Sequence, residues 1–331
     1  MEYRKLGQSD LNLSVVTFGA WAAGGWMWGG TERSEAVKAI RAGFDYGMTS
    51  IDTAPAYGQG TSEEIVREAI KGIPRDQVQI LTKFGLSWEG TKGQFFFSSK
   101  NNQGKPIEIY RYSGKESIIR ECETSLRLLG TDYIDLYQIH WADPTTPVQE
   151  TMEAVAQLIQ EGKVRYAGVC NYDVDQMKEA AKYIELVSDQ VPYSMVKRDI
   201  EQELIPYLIE NNQSVLAYSP LQRGLLSGKI RPDHQFSEGD TRADLTHYSA
   251  KNIQLTNAFL VKLKPLADEK KATLSQLVIR WTLGQPGITI ALVGARNASQ
   301  AAENAQAFHV KLSAEEVSFI STELDKLHLE L

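Results

Sequence analysis

The stretch KESIIRECETSLRLLGTDYIDLYQIHWADPTTPVQETMEAVAQLIQEGKVRYAGVC, residues 115–170, holds two successive passages from helix to strand. Within 115–130 the apolar side chains fall at Ile118, Ile119, Cys122, Leu126 and Leu129, a spacing that gathers them on one helical face. Gly130 closes that helix, because glycine tolerates the positive φ that a helix end favours. IDLYQI (134–139) then forms a short apolar run of strand length. A second amphipathic segment, 148–163, stops at Gly162 and leads into YAGVC (166–170). Strands that are nearly continuously apolar are buried on both faces, which points to a parallel sheet covered by helices.

The same unit recurs on either side. VVTFG (15–19), TSID (49–52), QILTK (79–83), LVSDQ (186–190), SVLAYS (214–219) and TIALVG (289–294) supply six more strands, and SEAVKAIRAGFDYG (34–47) is a further amphipathic segment. Eight strands with intervening helices and no charge-rich linker predict one closed (β/α)8 TIM barrel, a single domain over residues 1–331. A doubly wound sheet would carry G-x-G-x-x-G after its first strand; GGWMWGG (24–30) is glycine-rich without that spacing. Three segments depart from the alternation. Residues 1–13 suggest a hairpin that plugs the barrel bottom, 85–113 a long aromatic loop, and 220–255 a long polar connection. Loops of this length in compact domains are usually functional or mobile.

Composition narrows the partners. A formal net charge of −7 argues against a nucleic-acid surface, since phosphate binding needs clustered positive charge. No run approaches the roughly 18–20 apolar residues that span a bilayer, and the first residues lack a signal-peptide stretch. Two cysteines, Cys122 and Cys170, suggest no disulfide framework and fit a reducing cytoplasm. His234, His247, His309 and His328 have no metal-ligand spacing, so no metal is expected.

Four polar residues follow the predicted strands: Asp52 and Tyr57 in IDTAPAYG, Lys83 in QILTKFG and His140 in LYQIHW. On neighbouring parallel strands they would bring an acid, a phenol, an ammonium and an imidazole to one rim, a set suited to proton transfer. A free tyrosine titrates near 10, and a neighbouring ammonium lowers that value by stabilising the phenolate.

RKLGQSDLNLSVVTFGAW, DTAPAYGQGTSEEIVREAI, LTKFG, YIDLYQIHW, GKVRYAGVCNY, AYSPLQRGLLSGK and VGARNASQAAENAQAF resemble aldo-keto reductase segments, in family order, from residue 3 to about 308. The likeness is greatest to bacterial members and to the related potassium-channel β-subunit branch. It implies NADPH-dependent reduction of an aldehyde or ketone, and the aromatic 85–113 loop with the Trp-rich 21–28 segment leans toward a carbohydrate-derived one. Tyr57 would be the proton donor, Lys83 its tuner, Asp52 the lysine's partner and His140 the orienter of the carbonyl.

The resemblance also implies a cofactor site. Tyr218 would stack on the nicotinamide, with Asn171 and Gln190 holding its carboxamide. Cys170 stands where many relatives have serine, which weakens one hydrogen bond. Gly19, Ala20 and Trp21 would border the site beside Asp52. The loop with Ser219, Pro220, Leu221, Arg223, Gly224 and Lys229 would hold the pyrophosphate. Gly294, Arg296, Gln300, Glu303 and Asn304 would clamp the adenosine phosphate, the arginine favouring a 2′-phosphate and hence NADPH. The substrate pocket would draw on Trp21, Tyr57, Trp88, His140 and Trp141, with Trp26, Trp28 and the 85–113 loop around it. The alternative is a cofactor-sensing module like the channel β-subunits, with slow or no turnover; His140 speaks against it, because that branch tends to carry another residue there. A third reading uses the same rim for epimerisation or dehydration.

Overall fold

The computed structural model describes residues 1–331. The chain opens with an antiparallel hairpin, β1 (Tyr3–Lys5) and β2 (Asn12–Ser14). It continues through β3 (Val16–Gly19), the single-turn α1 (Trp21–Gly24), α2 (Arg33–Asp45), β4 (Ser50–Asp52), α3 (Thr61–Ile70) and β5 (Gln79–Phe84). An excursion follows, β6 (Leu86–Ser87), β7 (Gln94–Lys100) and β8 (Pro106–Arg111). The alternation resumes with α4 (Lys115–Leu129), β9 (Ile134–Ile139), α5 (Val148–Gln160), β10 (Val164–Cys170), α6 (Val174–Ala180) and β11 (Leu186–Pro192). Next come α7 (Leu204–Glu210), β12 (Ser214–Tyr218), α8 (Ala250–Glu269), α9 (Leu274–Leu283), β13 (Ile288–Val293), α10 (Ala298–Ala305) and α11 (Ala314–Leu324).

Eight parallel strands, β3, β4, β5, β9, β10, β11, β12 and β13, close into a barrel in that order. The ring is sealed where β13 pairs with β3, Ala291 opposite Val16. All eight strands expected from the sequence are the barrel strands. All six residues of β9 are buried, Asp135 and Gln138 among them. In α4 the face carrying Ile118, Cys122, Leu126 and Leu129 is buried, and Gly130 ends the helix at φ 66°. Each large side chain so removed from water contributes about 1.5–3 kcal/mol.

The expected floor is present. Leu6, Leu11 and Leu13 of the hairpin pack against Leu81, Leu136, Val187, Leu216, Ile290 and Leu292 inside the barrel. Gly7 N–H donates to Ser214 Oγ at the start of β12, 2.8 Å away, pinning the hairpin to that end. The 85–113 segment differs from expectation. It is not an irregular loop but a three-stranded antiparallel sheet in the order β6-β8-β7, lying outside the barrel. The 220–255 connection carries three short 3-10 turns before α8 begins.

Candidate active site

Parallel strands put all their C-terminal ends on one rim, and the four polar residues meet there. Asp52 ends β4, Lys83 lies near the end of β5, and His140 follows β9. Tyr57 is brought in by the turn between β4 and α3, whose backbone is folded by Tyr57 N–H donating to Ala54 O and Ser62 N–H to Tyr57 O. α1 packs hard against that turn. A Cβ on Gly24 would lie 2.7 Å from Tyr57 O, so a larger residue there would push the phenol-bearing turn away.

Lys83 Nζ donates to Asp52 Oδ1 at 2.7 Å and to Thr53 O at 2.9 Å. The lysine is fully buried and Asp52 is 3% exposed. Gln190 Nε2 holds the other carboxylate oxygen, Oδ2, at 2.7 Å. The ammonium lies 4.9 Å from the centre of the Tyr57 ring, and the His140 ring meets that ring edge-on at 5.6 Å. Trp21 stacks on the other side of Tyr57 at 6.0 Å.

The electrostatics depart from the expectation in one respect. Burial pushes the Tyr57 phenol up to about 12, more than the Lys83 ammonium pulls it down, and Asp52 adds to the rise. The ammonium therefore moderates a raised value and does not produce a lowered one. Burial pulls Lys83 down, but Asp52 and Tyr57 outweigh it and hold the amine charged above its ordinary value. Burial, and then the charge of Lys83, hold His140 well below its usual range, so the imidazole is neutral.

Behind β5, two acids grip the strand on either side of Lys83. Glu63 of α3 accepts from Thr82 Oγ1 at 2.8 Å, and Glu121 of α4 accepts from Gly85 N–H at 2.9 Å. Burial pushes both carboxyls up to about 7. A raised acid binds its proton more tightly in the folded chain, so its contribution to stability is present at low pH and lost as pH rises through about 7. Glu63→Gln should therefore stabilise the protein at pH 8 by ~2–3 kcal/mol and change little at pH 5, read by urea unfolding at both values. Equal midpoint shifts at the two pH values would rule this out.

The rim opens into a cavity of about 430 Å³. Of the residues expected at the cofactor site, Gly19, Trp21, Asp52, Asn171, Gln190 and Tyr218 line it. Ser219, Pro220, Leu221, Arg223, Gly224, Lys229, Gly294, Arg296, Gln300, Glu303 and Asn304 line it too. Tyr57, His140 and Trp141 border it as well, whereas Lys83 is sealed beneath. Three further expected residues do not line it. Ala20 and Cys170 are buried neighbours of lining residues, and Trp88 packs beside the small cluster around Trp26, Leu86 and Ile109.

The two amides are already engaged. Asn171, in the left-handed region at φ 59°, donates from Nδ2 to His140 O and accepts from Tyr218 OH. Gln190 Nε2 is on Asp52. Arg223 sits in the wall with its guanidinium 4.6 Å over Trp21 and no carboxylate partner, while Lys229 pairs with Glu303 at 3.2 Å. Arg296 precedes α10, as expected, and donates to Trp28 O and Gly30 O.

Sequence reasoning missed Arg242. It pairs with Asp240 at 2.6 Å, donates to Arg223 O and lies 4.8 Å over Trp28. With the Trp28–Asp240 bridge it fastens the 24–30 loop across the cavity to the 237–242 turn. Only its place in the long 220–255 connection marked it, and nothing in the pattern singled out this arginine.

Residues 15–324 match the Aldo/keto reductase family. The chain belongs to that family. It is 38% identical to "Aldo-keto reductase YhdN" of Bacillus subtilis (strain 168), over 98% of this chain and 94% of the relative. It is 37% identical to "NADH-specific methylglyoxal reductase" of Escherichia coli (strain K12), over 93% and 94% respectively. The solved glycerol dehydrogenase AKR11B4 from Gluconobacter oxydans superposes with a TM-score of 0.87 at 35% identity, over 98% of this chain and 95% of that one. As a member of the aldo/keto reductases the protein is an oxidoreductase.

Proposed function

We propose that this aldo/keto reductase, acting as one barrel domain over residues 1–331, reduces an aldehyde or ketone to an alcohol with NADPH, Tyr57 supplying the proton. The observation that carries the reading is the buried Lys83–Asp52 pair beneath Tyr57, with neutral His140 beside it on the wall of one cavity. A dinucleotide fits that cavity by charge. Arg223 lies in its wall as a cation with no acid partner, which is what a pyrophosphate would take up. Tyr218, Asn171 and Gln190 would hold the nicotinamide end, Ser219, Leu221 and Gly224 with Arg223 the pyrophosphate, and Arg296, Gln300 and Asn304 the adenosine end.

When bound, the reduced nicotinamide supplies a hydride to the carbonyl carbon. His140, neutral, donates a hydrogen bond to the carbonyl oxygen and orients it. As negative charge gathers on that oxygen, Tyr57 gives up its phenolic proton, and the C=O π pair becomes the new O–H bond. The phenolate left behind faces the Lys83 ammonium, which Asp52 and Gln190 hold in place. Tyr57 then recovers a proton from solvent. Lys83 is not the donor, because its proton is held above the ordinary range.

Arg296 supports the choice of NADPH, as a guanidinium in the cavity lining that a 2′-phosphate would take up. The NADH-specific relative makes this the first point to test. Titration by tryptophan fluorescence should show NADPH binding more tightly than NADH. Arg296→Ala should weaken NADPH by ~1–3 kcal/mol more than NADH; an equal effect on both would remove the 2′-phosphate assignment. The substrate wall, with Trp21, Trp141, Phe96 and Phe97, favours a carbohydrate-derived carbonyl, since aromatic faces stack on sugar rings. Two relatives are named for small oxygenated compounds, glycerol and methylglyoxal. Turnover over a panel of aldehydes and aldoses tests the whole reading. Tight cofactor binding with no turnover on any of them would favour a cofactor-sensing module instead. Two free, buried cysteines support a cytoplasmic location.

A further inference from the structure

The 85–113 excursion walls the large cavity on one side and a second cavity on the other. This second space, about 330 Å³, lies between β7 and β8, the turn after β9, and the start of α6. It is at the small end of the range for ligand pockets, roughly 300–1,000 Å³.

Its polar lining is one-sided. Asp143 is the carboxylate of the lining, and both its oxygens are saturated. Oδ1 accepts from Thr145 N–H and Thr145 Oγ1, and Oδ2 from Ser113 N–H and Thr146 Oγ1, all within 2.6–2.8 Å. Gln94 Oε1 is taken by Arg111, and Gln176 Oε1 by Asp173 N–H at the cap of α6. The Thr151 hydroxyl is spent on Ser113 O. What remains for a ligand is donors: the Gln94 and Gln176 amide NH2 groups, the unused guanidinium N–H groups of Arg111, and the hydroxyl of Tyr172. Tyr172 is only 6% exposed and its hydroxyl has no hydrogen-bond partner. Arg111 has no carboxylate partner either, so the cavity presents an unpaired guanidinium beside three neutral donor groups, while the Asp143 carboxylate in the same lining is occupied by its own four donors. A set of donors that runs from exposed Gln94 through half-buried Arg111 and Gln176 to buried Tyr172 suits an acceptor-only, negatively charged ligand.

The site also touches the substrate wall. The Arg111 guanidinium lies 4.9 Å over the Phe96 ring, and Phe96 packs on Trp141 at 5.3 Å. Phe96 and Trp141 both face the large cavity. We propose that the second cavity is an accessory site for a compact oxyanion, a carboxylate or phosphate group, and that its occupancy reaches the substrate wall through the Arg111–Phe96–Trp141 stack.

Calorimetric titration of the full chain with inorganic phosphate, and separately with acetate, tests this and separates the two anion types. Because the large cavity also holds an unpaired arginine, Arg223→Gln serves as the control for anion binding there. The expected result is a single site that Arg111→Gln weakens by at least about tenfold, Tyr172→Phe by a smaller factor, and Arg223→Gln not at all. Anion addition should also change the tryptophan fluorescence, and Trp141→Phe should remove that change. If Arg111→Gln lowers the melting temperature sharply, Tyr172→Phe, which deletes one oxygen from a packed ring, decides in its place. Binding that survives both substitutions, binding abolished by Arg223→Gln, or no binding of either anion would overturn the proposal. None of these outcomes depends on whether the large cavity reduces carbonyls.

Discussion

Tyr57→Phe should lower carbonyl reduction by about 10²–10⁴-fold or more while leaving dinucleotide affinity within about twofold, the range expected when a general acid is removed. The phenylalanine keeps the ring that stacks on Trp21 at 6.0 Å and meets His140 edge-on, so the wall of the cavity survives. Only the proton is lost. Because burial keeps the phenol protonated up to about 12 and the neighbouring imidazole neutral, the wild-type rate of reduction should be flat through neutrality. Stopped-flow turnover and fluorescence titration separate the two effects. Loss of cofactor binding together with turnover would mean that the hydroxyl serves the fold, and the proton-donor assignment would fall.

Lys83→Met should be more damaging still, because it acts on stability as well as rate. Asp52 would be left buried with Gln190 as its remaining side-chain donor. Removing one partner of a buried pair commonly costs ~3–5 kcal/mol, since the surviving charge has no compensation. The phenolate that forms on Tyr57 would also lose its facing cation. A double variant, Lys83→Met with Asp52→Asn, should recover much of the stability and none of the turnover. Urea unfolding and single-turnover rates read these two quantities independently. If the double variant is no more stable than Lys83→Met alone, the pair does not behave as a coupled charge.

The barrel was legible because its strands are buried on both faces, and such strands cannot disguise themselves as surface. β9 is the plainest instance, buried at every position. The rim residues were legible for the same reason, Asp52, Lys83 and His140 standing at the ends of such runs and Tyr57 in the turn that follows one. The 85–113 sheet was not, because QFFFSSK in β7 is largely exposed and lies outside the core, so no burial pattern enforces its period. Ala20 and Cys170 show a different limit. Each is next in sequence to a residue that faces the cavity but is itself buried, and motif matching does not see direction. The rise in the Tyr57 pKa escaped for want of burial, which no motif records. Arg242 escaped because its partners Asp240, Trp28 and Arg223 are joined only by the folded loops.

The pairing of Ala291 with Val16 sets the order in which this chain can fold. Local strand–helix–strand units can form early, but the first and last barrel strands meet only after almost the whole chain has been ordered. Contacts so distant in sequence slow folding, because loop-closure entropy is lost before the pairing repays it. Until β13 is in place, β3 and β12 each present an unpaired parallel edge, the kind of surface on which chains add to one another. On the ribosome, that exposure lasts until residue 293 has emerged.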